Sequence, residues 1–154
     1  MSTLSELSSK ADYIANRSNQ LKAQWQSYRN SLTQAINAQN KKINHELICG
    51  DGDDIRFLLF KHFIISIRLS DDFFSHDIIY RLNIASSDEP ARFSPFAHAQ
   101  LSEEGTVDTI PVSNKPAILE HYLAKIAVIY QCLFDALRSN QPISAQLTTL
   151  LKLA

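Results

Sequence analysis

Glycine is scarce in this chain, with three in 154 residues, and neither a glycine nor any of the five prolines falls within the first 49 positions. So few glycines cannot build a phosphate cradle, and no G-x-G-x-x-G or P-loop is present. The nucleophile elbow G-x-S-x-G is missing, as is the zinc helix motif H-E-x-x-H. Cysteine is nearly absent too. Cys49 and Cys132 stand far apart without partners at zinc spacing, so they read as reduced thiols of a cytoplasmic protein. No apolar run approaches the roughly 18 residues that suggest a membrane span. The opening Met-Ser-Thr-Leu-Ser-Glu lacks the basic-then-apolar layout of a signal peptide. These absences leave catalysis without a visible residue set, and no cofactor or metal is expected.

What is present suits one domain with a real core, since 45% of residues are apolar and 20% charged. The net charge of −1 hides an asymmetry. Residues 1–44 carry six basic and two acidic side chains, and the remainder nine basic and fourteen acidic. The basic residues of the first part are spread out, which favours a solvated helix face over a DNA footprint.

Without Gly or Pro, residues 1–49 read as one long helical region. Thr3 and Glu6 have the spacing of a capping box. Apolar residues then recur in steps of three and four at Leu4, Leu7, Ala11, Ile14, Leu21, Trp25, Tyr28, Leu32 and Ala35, with Ser18 and Gln39 filling the register. Nine of eleven seam positions are apolar against five of the 25 between them, which is a heptad-like seam. Ile43 and Leu47 extend the stripe, and Gly50 suits a helix end. A continuous helix here has about 45 residues and spans roughly 65–70 Å. That exceeds a small domain, so part of the seam must meet a second helix or a second copy. A break near Arg29–Ser31 is the other reading.

Residues 50–112 read as an antiparallel sheet of four or five strands. Gly50 to Asp54 form a turn cluster. Ile55 to Leu69 is either one long strand or two strands turning near Lys61-His62. His76–Ile84 alternates, with Ile78, Tyr80, Leu82 and Ile84 on one face. Phe96–Ser102 and Thr106–Val112 flank a hairpin turn at Glu103-Glu104-Gly105, with Gly supplying the positive φ. Residues 113–154 return to helix. Ser113 or Asn114 caps, Pro116 fits the first turn, and Ile118 through Arg138 carries a broad apolar stripe. Asn140 and Pro142 end it before a shorter amphipathic segment from Ile143. The fold class is therefore α+β in a single domain, with a long N-terminal helix and a C-terminal helix pair.

His45 and Cys49 are four apart, a metal-sharing spacing on a helix, but they lack a second pair. Asp51, Asp53 and Asp54 lack the full calcium ligand series. Phe57, Phe60, Phe63, Phe73 and Phe74 lie among Ile and Leu and read as core before stacking platform. His62, Arg68 and His76 are candidates for a small-anion or pH-sensing site. Arg17, Lys22 and Arg29, with Lys41 and Lys42, form a candidate partner-binding flank on the helical region.

Several segments without general chemical meaning carry a resemblance. The run Ser8 to Arg17, Gln24-Trp25, Asn30-Ser31-Leu32, Phe57 to Phe63, Ser75-His76, Ala97 to Gly105, Leu119 to Ala127 and Tyr130 occur in order over almost the whole chain. Together they resemble the formate hydrogenlyase regulatory protein (HycA) family. The match is weakest over residues 86–96 and after Asn140. The resemblance implies a transcriptional repressor of the formate hydrogenlyase operons. It further implies antagonism of the formate-responsive transcriptional activator, hindering its engagement with upstream DNA. It brings no catalytic residues and no cofactor. Direct binding of operon DNA, formate sensing and a homodimer through the N-terminal helix are the other expectations.

Overall fold

The computed structural model describes residues 3–48, 54–83 and 92–153. The N-terminal helix, α1 (Thr3–Asn37), is one unbroken rod through Arg29–Ser31. It stops well short of Gly50, correcting the expected helical region 1–49. After a turn at Ala38-Gln39 comes the single-turn α2 (Asn40–Ile43), closed by Asn44 in the left-handed conformation at φ 53°. Asparagine tolerates that conformation through its short polar side chain, so a helix end forms with no glycine. His45–Ile48 then makes strand β1 instead of a last helical turn.

Strands β2 (Ile55–Leu59), β3 (Phe63–Leu69), β4 (Asp77–Asn83) and β5 (Phe93–Gln100) complete a five-stranded antiparallel meander in sequential order. The long apolar run is thus two strands. They turn at Phe60-Lys61, both with positive φ (52° and 57°), the primed geometry that matches strand twist. One face is core: Phe57 opposes Ile65, which opposes Leu82, and Ile67 opposes Tyr80. Ile78, Tyr80 and Leu82 are buried as the alternation requires, while Ile84 lies outside the described residues. Beyond β5 the expected second hairpin arm breaks into β6 (Thr106–Val107) and β7 (Ile110–Pro111), because Asp108 and Thr109 both take positive φ.

α3 (Lys115–Arg138) begins as the sequence requires, with Asn114 Oδ1 accepting from the Ala117 amide and Pro116 in the first turn. It buries Ile118, Tyr122, Ile126, Ile129 and Leu133. By length and hydropathy this helix is apolar enough to cross a membrane. Here it packs on the sheet, with Tyr122 5.9 Å from Phe57 and 6.4 Å from Tyr80, ring to ring. α1 reaches the same face, where the Tyr28 and Tyr80 hydroxyls meet at 2.6 Å. α4 (Ile143–Leu153) lies on α3 and buries Leu147.

The seam of α1 is buried from Ser18 onward, at Leu21, Trp25, Tyr28, Leu32 and Ile36. Ile36, not Ala35, takes the last core position, the drift expected when a 3.6-residue helix carries a 3.5-residue repeat. Phe57 is core, but Phe60 and Phe73 are exposed, which corrects their reading as core residues. Phe60 sits in the tight turn, with one side of its ring against Tyr130 at 5.4 Å, and Phe73 lies in the β3–β4 connection.

Candidate protein-docking surface

The first 14 described residues of α1, 3–16, are all exposed. Leu4, Leu7 and Ile14 show 78%, 58% and 51% of their surface, and Ala11 lies between them in the same register. The seam that is core in the second half of α1 therefore runs on into solvent. At 1.5 Å per residue this free end is about 21 Å long.

Its base is latched by a turn far away in sequence. Arg17 clasps Glu103 with two parallel bonds, Nε to Oε1 at 2.5 Å and Nη2 to Oε2 at 2.8 Å. Nη1 also donates to the Tyr13 hydroxyl at 2.7 Å, and the guanidinium lies 5.0 Å from the Phe74 ring centre. The pairing holds the Glu103 carboxyl below its ordinary pKa and raises that of Arg17. Gln20 Nε2 donates to the Glu103 carbonyl at 3.0 Å. Gly105, at φ +93°, presses so close that a Cβ there would stand 2.8 Å from Gln24 Oε1. The sequence marked this turn but gave no sign that it grips a helix 86 residues earlier.

The candidate flank is divided by the fold. Arg17 is committed to Glu103, and Lys22 points into solvent on α1. Arg29 is half-buried, while Lys41 and Lys42 are exposed on α2, beyond the turn that ends the rod. The second candidate set is not gathered either. His62 is exposed beside the β2–β3 turn, edge-on to Phe63, at the opposite end of β3 from Arg68. Arg68 is paired with Asp71. His76 Nδ1 lies 2.6 Å from the Leu101 carbonyl, with the ring edge-on to Phe74.

The histidine with the most developed surroundings is His45, while Cys49, four residues on, lies outside the described residues. His45 is buried, with Nε2 2.8 Å from the Tyr122 hydroxyl and Nδ1 3.2 Å from the Ile43 carbonyl. Tyr130 donates to that carbonyl at 2.5 Å. Both ring nitrogens are thus engaged by protein atoms, and burial lowers the imidazole pKa against the opposing pull of the Ile43 carbonyl. Among the described residues no three metal-ligating side chains converge. Asp54, from the turn whose aspartates lack the full calcium ligand series, lies 3.9 Å from Arg56 and 4.0 Å from Arg81 on the outer sheet face, and Asp51 and Asp53 lie outside the described residues.

At the other end of the molecule, α3, α4 and the β2–β3 turn enclose an apolar groove of about 1340 Å³. Phe60, Phe63, Tyr130, Phe134, Leu137 and Leu147 form much of its wall, and His62, Arg92, Gln131 and Thr148 supply its polar atoms. Phe134 and Leu137 remain more than half exposed.

A projecting apolar ridge at one end and an apolar groove at the other give this α+β domain the surfaces of a contact module. Residues 2–149 match the family described as the transcriptional repressor of hyc and hyp operons, and the chain belongs to that family. It is a regulatory protein and not an enzyme. It is 38% identical over 143 residues to the formate hydrogenlyase regulatory protein HycA of Escherichia coli K12, covering 92% of each chain. The proteins of the same name from Escherichia coli O157:H7 and Shigella flexneri show the same identity and coverage. No solved structure matches the chain.

Proposed function

We propose that this protein represses formate hydrogenlyase genes in the cytoplasm by binding the formate-responsive transcriptional activator and hindering its action at DNA. The observation that supports this reading is the free seam Leu4–Leu7–Ala11–Ile14. Anchors at i, i+3, i+7 and i+10 on a rigid helix suit a helix-in-groove contact with another protein. Lys22, exposed on the same helix past the latched Arg17, supplies a polar rim that steers association more than it adds affinity. The test is co-purification with the activator, comparing the natural chain with Leu7→Glu plus Ile14→Glu. Loss of the complex with an unchanged far-ultraviolet circular dichroism spectrum is expected. A doubly substituted protein that still co-purifies would refute this placement.

Direct DNA binding by the basic part of the chain is the second reading, motivated by the net charge of +4 over residues 1–44. Arg17 spends its charge on Glu103, and Lys41 and Lys42 stand off the axis of the rod, so the positive face is broken. A specific gel shift of operon control DNA at physiological salt, without activator, would favour it.

A further inference from the structure

We infer that the groove receives the free end of α1 from a second copy of this chain. The dimer stands on geometry alone. Its consequence for repression rests on the reading above, because the same seam would be covered in the dimer and needed for the activator.

The groove is larger than the roughly 300–1,000 Å³ usual for small-molecule sites, and its wall is mainly aliphatic and aromatic. Those are the dimensions and chemistry of a seat for the apolar face of a helix. Among the described residues, the 14 ahead of Arg17 form such a helix with no cover of their own. That helix cannot reach its own groove. α1 is latched at Arg17 to Glu103, near the start of α3, where His121 Nε2 meets Asp108 at 3.0 Å. Tyr130 on α3 bonds Ile43, just past the end of α1. The two helices therefore run in the same direction. The free end projects beyond one end of the body, and the groove opens at the other, about 30 Å along the rod.

The areas also discriminate between modes of pairing. About 100 Å² is removed from water per large apolar side chain. A coil of two free ends against each other, each offering only Leu4, Leu7, Ala11 and Ile14, buries well under the roughly 1,200 Å² of a stable interface. Two copies running antiparallel and slid by the length of the free end make two seam-in-groove contacts at once. That doubles the area and closes under a two-fold axis.

Light scattering on the natural protein alone is expected to give about 35 kDa, twice the 17.4 kDa chain. Leu7→Glu plus Ile14→Glu, and separately Phe134→Glu plus Leu137→Glu, should each yield the monomer. All four positions are exposed, so far-ultraviolet circular dichroism should match the natural chain, while the melts of the variants should lose the concentration dependence that dimerisation gives the natural protein. A mixture of the two variants keeps only one intact seam-in-groove contact, half the area, and should stay monomeric. A monomeric natural protein overturns the inference, as does a groove variant that remains dimeric. Activator co-purification is scored separately. A natural chain that is monomeric yet binds the activator through its seam would sink the dimer and leave the proposed function standing.

Discussion

Acidification offers a direct probe of the buried core through His45. Both its ring nitrogens are engaged, and the arrangement suits the neutral ring: Nδ1–H donates to the Ile43 carbonyl while Nε2 accepts from the Tyr122 hydroxyl. Protonation would place a second N–H against Tyr122, in a pocket where Tyr122 and Tyr130 are themselves held neutral by burial. The folded-state pKa lies below the unfolded value of about 6.5. The unfolded chain therefore binds the proton first, and stability falls as pH drops below 6.5 until the folded-state pKa is reached. The slope from this single group is at most about 1.4 kcal/mol per pH unit. Glu103 and Asp108, whose pKa values are lowered, contribute only nearer the carboxylate range, and the difference between the natural chain and His45→Gln from pH 6.5 to 5.5 reads the share of His45. Urea melts at pH 7.5, 6.5 and 5.5 should show this loss in the natural chain. His45→Gln should be less stable at pH 7.5, by about 1–3 kcal/mol for disturbed buried hydrogen bonds, but flatter with pH. Equal pH dependence in the two proteins would refute the assignment.

The two halves of the α1 seam should respond oppositely to truncation. Trp25→Ala, in the buried half, should cost about 3–5 kcal/mol, whereas Leu7→Ala should change monomer stability by no more than about 0.5 kcal/mol in denaturant melts of dilute protein. Tyr28→Phe should lose about 1–3 kcal/mol by stranding the Tyr80 hydroxyl, and the double variant with Tyr80→Phe should recover part of it in a mutant cycle. Gly105→Ala should cost about 1–2 kcal/mol in backbone strain alone. Gln24→Ala should relieve the crowding but not that strain, so a melt showing full rescue would count against the backbone argument.

Much of this architecture was legible because the patterns are local. The seam of α1, the alternation of Ile78, Tyr80 and Leu82, and the Asn114–Pro116 start of α3 are each written in a few adjacent residues. The failures share a different cause. The end of α1 depends on Asn44 in a left-handed conformation, while Ile43 and Leu47 keep a helical spacing that β1 also accommodates. Phe60-Lys61 is a turn formed without glycine, asparagine or proline, so the alternatives at that point could not be separated. The contact surfaces were half visible: excess seam length implied an uncovered stretch, but not which stretch. That Arg17 leaves the charged flank for Glu103, and that α3, α4 and the β2–β3 turn share a groove, are products of tertiary distance.

The free end of α1 also has a consequence for how it meets any partner. A 14-residue helix alone is marginal in water, because forming the first turn fixes several dihedral angles for a single hydrogen bond. Here that nucleation is already accomplished by the half of α1 anchored through Trp25 and Tyr28. Each residue ahead of Arg17 needs only to propagate an existing helix, and no glycine or proline interrupts it. The ridge is thus offered in its binding conformation, and a partner need not supply the ordering free energy that a flexible tail demands. The same residues as a detached peptide should be largely coil and bind more weakly, though every contacting side chain is identical.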